Sequence, residues 1–366
     1  MKVKVLNIIT GGLGREGITT TQLEFMKAMD KSNIQIDIAA VHNDEPDVIK
    51  EFEIAGCRVL KFPDRKKKLI SYIKQLNYII RKETYDVIHV HGSSAMMSIE
   101  LFIAKIAGVK VRIAHSRNTL ADHRIMDKLL RPIFYKSYTH GFAVGEDAGK
   151  WLFGKREFTI IHNGKDFKRF HFCNEQRMVV RSRFNIGDKT AIGFVGNLNI
   201  QKNLPFLIVV IKNNNELNPN CIYFLMGDGP ERDNVKAKLS EIGILDKVIL
   251  TGRIQNIAEM LQGMDIMLLP SLFEGLPNVV LEWQAVGLPS IISERITQEC
   301  KVCDLVKFIP IDQGSENWVT EIKKISVGVN REEKSEMARK LMKDNGFDIN
   351  ENIKFMKEFY IKSSRK

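Results

Sequence analysis

The sequence predicts an α/β protein of two doubly wound parallel-sheet domains, and three observations carry that prediction. Short β-branched runs alternate with helical patterns from end to end, which implies crossover connections and parallel strands. At 366 residues the chain exceeds one core of ordinary size and suggests two domains. Gly-rich turns follow several of the strand candidates directly, where sheets of this kind bind ligands.

In the first half the expected strands are 3–9, 35–41, 58–62, 86–91, 111–115, 141–144 and 159–162. In the second half they are 191–195, 221–226, 248–251, 265–269, 290–292 and 306–309. The polar stretch from Lys165 to Lys189 is expected to carry the chain between halves. Domain limits follow at 1–168 and 169–349. A last helix over 350–366, with Ile353, Met356, Phe359 and Tyr360 at helical spacing, is expected to cross back to the N-terminal domain.

Hydrophobic content of 44% and charged content of 27% are those of an ordinary globular chain, and no apolar run is long enough to span a membrane. Five dispersed cysteines argue for reduced thiols and a cytoplasmic setting. Cys300 and Cys303 have zinc- or redox-like spacing, but no second pair or nearby histidine accompanies them. The net charge of +11 is unevenly placed: residues 1–172 hold 29 Lys and Arg against 19 Asp and Glu, the remainder 26 against 25. Such a balance implies an anionic partner for the first half. Arg65, Lys66, Lys67 and Lys68 open one basic helix-like segment, with Leu69, Ile73, Leu76 and Ile80 on an apolar face. A second runs from Arg124 to Lys136, with Lys128 and Arg131 among Met126, Leu129, Leu130, Ile133 and Phe134. These helices either lie on an anionic membrane or pack inward under a solvated basic face.

The densest chemistry lies in Phe273-Glu274-Gly275-Leu276-Pro277-Asn278-Val279-Val280-Leu281-Glu282. Glu274 is expected in a Gly/Pro turn breaking into a helix, with Glu282 two turns along. Positions eight apart differ by about 800°, so both carboxylates are expected within about 80° of each other and about 12 Å apart along the axis. They can accept from sugar and ribose hydroxyls while helix N-terminal amides take a diphosphate. Alone, the pair reads equally as a turn and a charged helix face.

The first strand enters Gly11-Gly12-Leu13-Gly14, which lets backbone approach a ligand, but the spacing is not the dinucleotide fingerprint. His115 ends one strand and is followed by Arg117 and Asn118. His89 and His91 are read as taking opposite faces of theirs, so that only the strand-end His91 points into a cleft and His89 is structural. In the second half, Gly196-Asn197 leads to Lys202, a point charge suited to phosphate, and Gly227-Asp228-Gly229-Pro230 forms another Gly-rich turn.

Taken in order, the first Gly-rich loop, His115, Ile161-His162-Asn163-Gly164, Gly196…Lys202, Gly227-Asp228-Gly229-Pro230 and Glu274…Glu282 resemble the retaining glycosyltransferases of family 4, most closely bacterial enzymes of capsular or exopolysaccharide assembly. The resemblance covers nearly the whole chain and is strongest from Thr190 to Ile292. It implies the GT-B fold, two Rossmann-like domains facing across a cleft. It also implies transfer of a hexose or N-acetylhexosamine from a nucleotide diphosphate sugar, UDP-sugar foremost, to a glycan acceptor, lipid-diphosphate-linked, at the inner membrane face. His115, Lys202 and Glu274 are the implied catalytic residues. Gly12, Gly14, Asn197, Lys202, Gly227, Asp228, Gly229, Glu274, Gly275, Leu276, Pro277 and Glu282 are the implied donor site, and His91, Arg117 and Asn118 lie toward the acceptor. Many relatives carry arginine where this chain has Asn197, which leaves Arg15, Arg117 or Arg253 to supply a second cation. The chain lacks an Asp-x-Asp sequence, so neither metal nor other cofactor is expected. The competing readings are a sugar-nucleotide epimerase of the same fold and a basic nucleic-acid-binding protein, the latter disfavoured because the aromatics sit mostly at helix-core spacing.

Overall fold

The computed structural model describes residues 2–15, 17–119, 123–325 and 330–365. The chain divides into two units, one of residues 1–164 and 346–366, the other of residues 165–345. Both divisions fall four residues before the expected limits.

The first unit holds a seven-stranded parallel sheet made of β1 (Val3–Ile9), β2 (Ile34–Ala40), β3 (Arg58–Lys61), β4 (Val87–Gly92), β5 (Val111–Ser116), β6 (His140–Ala143) and β7 (Thr159–Ile160). Their spatial order is β3-β2-β1-β4-β5-β6-β7, so the winding reverses between β1 and β4. Central β4 is buried at every position, whereas β7 at the edge is exposed, as expected for a sheet covered by helices on both faces. The last helix, Ile349–Ser364, belongs to this unit. It places Ile349, Ile353, Met356 and Tyr360 in the same core as Val5, Val87 and Ile113. Asp348 caps it by accepting from Asn350 N at 2.8 Å.

The second unit has a six-stranded parallel sheet: β8 (Thr190–Val195), β9 (Cys221–Met226), β10 (Val248–Gly252), β11 (Ile266–Leu269), β12 (Ser290–Ser293) and β13 (Val306–Ile309). The order β10-β9-β8-β11-β12-β13 reverses between β8 and β11. The expected inter-half stretch is more than a connection. It contains the helix Asn174–Arg183, whose Arg177 and Arg181 grip Asp265 at 2.6 and 3.0 Å while Asp265 also accepts from Ala191 N. That carboxylate therefore ties the helix to the edges of β8 and β11.

Candidate active site

In the second unit the candidate residues gather at the carboxyl ends of β8 and β11, neighbours across the point where winding reverses, and this is where doubly wound sheets bind ligands. β8 continues through Gly196-Asn197 to a 3-10 turn, Ile200–Lys202, whose cap Asn199 accepts from Lys202 N at 3.3 Å. Two hydrogen bonds clamp this turn to the loop after β11: Leu272 N donates to Gln201 O, and Gln201 Nε2 to Phe273 O, each at 2.9 Å. The clamp brings Lys202 Nζ within 2.6 Å of Glu274 Oε1, with only 13% and 11% of the two side chains exposed.

Glu274 thus lies before the helix, which begins at Asn278 and runs to Ala285. It forms an isolated parallel bridge with Ile296. The rotation counted between Glu274 and Glu282 assumed one continuous helix, and the loop clamp sets the direction of Glu274 instead. Glu282 does sit on the helix, 8% exposed, and its Oε1 accepts from Lys165 Nζ at 2.9 Å. The helix cap, Pro277, has no side chain to bond the first-turn amides, so they are not spent on a capping side chain and suit an anion beside Gly275 and Leu276.

The glycines of the two other loops have a packing role. Gly227 has φ +149°, and a Cβ there would stand 1.9 Å from Gly196 O; Gly229 has φ +158°, and a Cβ would stand 2.3 Å from Asn197 Oδ1. Each loop therefore lies directly on the other, joined by Leu198 N to Asp228 O at 2.8 Å. Asp228 turns its carboxylate into its own turn, accepting from Gly229 N and lying 3.3 Å from Arg232 Nη1. Gly12 is alike: at φ +93° a Cβ would collide with His42 O at 1.5 Å. Gly14 meets no such obstacle, its nearest neighbour being Glu45 Oε1 at 3.5 Å. Two of the cations considered for the Asn197 position are committed elsewhere, Arg15 to Asp47 and Glu51 and Arg117 to His91 and Asn163.

In the first unit the reading of β4 needs correction. Residues two apart on a strand share a face, and His89 and His91 stack with ring centroids 4.0 Å apart. His115 on β5 joins them, aligned in register with His91. All three are buried. His89 Nε2 lies 3.1 Å from His115 Nδ1, and His89 Nδ1 lies 2.6 Å from the Tyr360 hydroxyl. His115 Nε2 is buried without a partner, so any sugar contact there requires the groups covering it to shift. His91 Nδ1 accepts from Arg117 Nη2 at 2.9 Å, and its Nε2 pairs with Asn7 Oδ1 at 3.2 Å. Burial, then the nearby Arg117 charge, pushes the His89 and His115 pKa values well down, so both rings are neutral; His91 shifts the same way, with its two histidine neighbours adding to burial. Burial likewise lowers Arg117 to about 9. Asn118 is half-buried and accepts from Thr119 N.

Ring nitrogens of His89, His91 and His115 come within 4.8 Å of one another. The set does not suit a cation: Arg117 and Asn7 engage both nitrogens of His91, and a guanidinium stands beside it. Cys300 and Cys303 donate to Thr297 O and Gln284 Oε1, and burial pushes the Cys300 thiol up to about 12, which leaves it inert.

Of the basic candidates, Arg65 is buried, with Nε 2.6 Å from Glu100 Oε1, so it is a core ion pair and no surface cation. Arg131 is bound to Asp127 at 2.8 Å and to the Trp151 and Leu152 carbonyls. Lys66, Lys67, Lys68 and Lys128 are exposed. The two helices also differ. Leu69–Glu83 buries Tyr72, Leu76 and Ile80, whereas Arg124–Ser137 leaves Ile125, Met126, Leu129 and Ile133 in solvent. Lys165 and Tyr360, the partners of Glu282 and His89, were not expected in any site. The position of Lys165 directly after Asn163-Gly164 was the available signal for the first, and Tyr360 gave none beyond helical spacing.

Residues 15–169 match the family described as Glycosyltransferase Family 4, and residues 179–339 the family described as Glycosyl transferases group 1. Among relatives, EpsF of Bacillus subtilis (strain 168), named as a glycosyltransferase, is 27% identical over 99% of this chain and 97% of its own length. The capsular polysaccharide biosynthesis glycosyltransferase CapH of Staphylococcus aureus is 24% identical over 98% and 99%. An Escherichia coli UDP-Gal:alpha-D-GlcNAc-diphosphoundecaprenol alpha-1,3-galactosyltransferase is 26% identical over 67% and 66%. The crystal structure of Anabaena HepE with UDP and glucose superposes with a TM-score of 0.79 at 14% identity, covering 97% of this chain and 98% of that one. With two doubly wound units and family matches that together leave out only residues 1–14, 170–178 and 340–366, the chain belongs to the family 4 glycosyltransferases of GT-B fold.

Proposed function

We propose that this glycosyltransferase moves a hexose or N-acetylhexosamine from a UDP-sugar to a sugar hydroxyl of a lipid-linked glycan, with retention at the anomeric carbon and without a metal, in the assembly of a cell-surface polysaccharide. The observation that carries the reading is the Lys202–Glu274 pair clamped at the switch point of the second sheet. Cleaving the donor builds negative charge on the diphosphate. Lys202 and the first-turn amides of the helix Asn278–Ala285 offer fixed positive ends there, which is how such sites lower barriers. A diphosphate competes with Glu274 for Lys202, and Glu274, once released, accepts from a hydroxyl of the transferred sugar. Glu282, held by Lys165, accepts from the ribose, and His115 is assigned to the sugar. UDP in HepE and the names of the E. coli and S. aureus relatives support the donor, the lipid-linked acceptor and the polysaccharide setting.

The acceptor reading also has support on the surface. Ile125, Met126, Leu129 and Ile133 make an exposed apolar stripe on a helix that carries Arg124, Lys128 and Lys136, the composition of a surface that rests on anionic lipid. Among the described residues no helix is long and apolar enough to cross a membrane, so in this reading attachment is peripheral, on the cytoplasmic face.

Transfer to undecaprenyl-diphosphate-linked sugar, followed with a panel of UDP-sugars in the presence of EDTA, tests the whole reading. Lys202→Ala is expected to lower transfer by about 10²–10³-fold, and Glu282→Ala to raise the donor KM. Unchanged turnover in both variants would remove the site. A new sugar nucleotide formed without acceptor would identify an epimerase, and abolition of transfer by EDTA would overturn metal independence.

A further inference from the structure

The last helix of the chain reaches the histidine cluster at one atom. Tyr360, buried on that helix, contacts His89, which contacts His115, whose far nitrogen is unpartnered. We propose that Tyr360 and His89 are positioning residues that lock His115 in the tautomer with its proton on Nε2, so that it presents a neutral N–H donor. This rests on the reading that His115 meets the transferred sugar.

The geometry favours one proton arrangement. The planes of His89 and His115 lie within 5° of parallel, and their centroids are 5.2 Å apart. That separation approaches the largest that a 3.1 Å nitrogen–nitrogen contact allows, so both nitrogens lie near the line joining the rings, as a hydrogen bond requires. A neutral imidazole has one donor and one acceptor nitrogen, so the proton of each ring fixes that of the next. If the Tyr360 hydroxyl donates to His89 Nδ1, His89 carries its proton on Nε2 and donates to His115 Nδ1. His115 is then protonated on Nε2.

The reverse arrangement sends His115 Nδ1–H to His89 Nε2 and His89 Nδ1–H to the tyrosine oxygen. The buried hydroxyl proton then needs another acceptor. Among the described residues that hydroxyl has no hydrogen-bond partner besides His89 Nδ1; the Asn7 amino nitrogen is itself unpartnered, and the Asn7 carbonyl oxygen is engaged by His91 Nε2 at 3.2 Å. Stacking of His91 on His89 keeps the middle ring in plane. The result is a donor that needs no proton from solvent to act, aimed at an oxygen: a sugar hydroxyl or the departing phosphate.

The test is long-range ¹H–¹⁵N correlation spectroscopy on the full chain labelled at its eight histidines, with the His115→Gln variant assigning the resonance. The expected result is a pure Nε2–H pattern for His115 in the native chain, shifting to a mixture in Tyr360→Phe, which removes a single oxygen. Tyr360→Phe is also expected to lower kcat by about two- to tenfold, the worth of one hydrogen bond, with UDP affinity unchanged. An Nδ1–H pattern in the native chain overturns the relay without recourse to any variant, and so does an unaltered tautomer in Tyr360→Phe. Should His115→Gln transfer sugar normally, the assignment of His115 to the sugar fails, while the spectra still decide the relay.

Discussion

In the second unit, four side chains reach the candidate site as two ion pairs, Lys202–Glu274 at 2.6 Å and Lys165–Glu282 at 2.9 Å. In the first unit, three histidines meet at the corresponding end of the sheet with burial holding them neutral. The first arrangement pairs its charges, whereas the second keeps its three rings uncharged beside one buried cation, Arg117, which rests on His91 and Asn163. The difference suits the chemistry proposed. A diphosphate needs cations that can exchange partners. A sugar hydroxyl needs a directional neutral donor, which an unpartnered imidazole N–H supplies.

Removing one member of a pair is the most direct way to break this contrast. Lys165 is among the largest fully buried side chains, and its loss leaves Glu282 with a carboxylate in a site 11% exposed. Lys165→Met should cost about 3–5 kcal/mol of stability, read by urea unfolding, because the desolvated charge remains without its partner. Lys165→Met/Glu282→Met should regain most of that. A single variant as stable as the native chain would show that the pair is not buried in solution.

The histidine cluster should respond to pH. Burial places the folded pKa values below the ordinary 6.5, so the unfolded chain takes up protons first as pH falls. Stability is complete above about pH 6.5 and is lost below it, down to the depressed folded values, by at most about 1.4 kcal/mol per histidine per pH unit, or about 4 for three. Unfolding curves at pH 7.5 and 5.5 would read it, and His115→Gln should remove about a third of the slope. Equal slopes in native and variant chains would mean that His115 is not held neutral.

How legible all this was depends on the range of each interaction. Every expected strand is present with its ends within about two residues, because a parallel sheet imposes continuous apolar runs such as Cys221–Met226 that stand out without tertiary information. Glu274, Glu282 and Lys202 were legible as residue types beside glycine turns. The partners of Glu282 and of His89 were not, since Lys165 meets Glu282 across 117 positions and Tyr360 meets His89 across 271. Local spacing also misled in two places: Glu274 does sit in the expected turn before the helix, so the rotation counted to Glu282 along a continuous helix does not apply, and His89 and His91, two apart on a strand, share a face. The glycines of the Gly196 and Gly227 loops looked like ligand contacts; Gly227 and Gly229 are required by the chain of the Gly196 loop, whereas a Cβ at Gly196 would meet the Lys202 and Phe194 side chains.

The smallest expected effect concerns the two basic helices, which compositional reading could not separate. Leu69–Glu83 turns Tyr72, Leu76 and Ile80 inward, so its lysines crown a packed helix. On Arg124–Ser137, Ile125 is 77% and Leu129 66% exposed, and neither gains anything from the core. If that stripe rests on lipid, Leu129→Asp should weaken binding to vesicles containing anionic phospholipid by roughly tenfold, since a buried apolar side chain contributes about 1.5–3 kcal/mol and partial insertion only some of it. Ile70→Asp on the other helix alters a residue of similar exposure, 72%, on a helix whose opposite face is packed through Tyr72, Leu76 and Ile80, and it should leave binding within about twofold. Sedimentation with vesicles at low and physiological salt reads both variants together. Equal losses would assign attraction to the diffuse positive charge of the first unit. A loss confined to Leu129→Asp would place the contact on the exposed apolar stripe of the helix Arg124–Ser137, which lies apart from the core face that Phe134 makes.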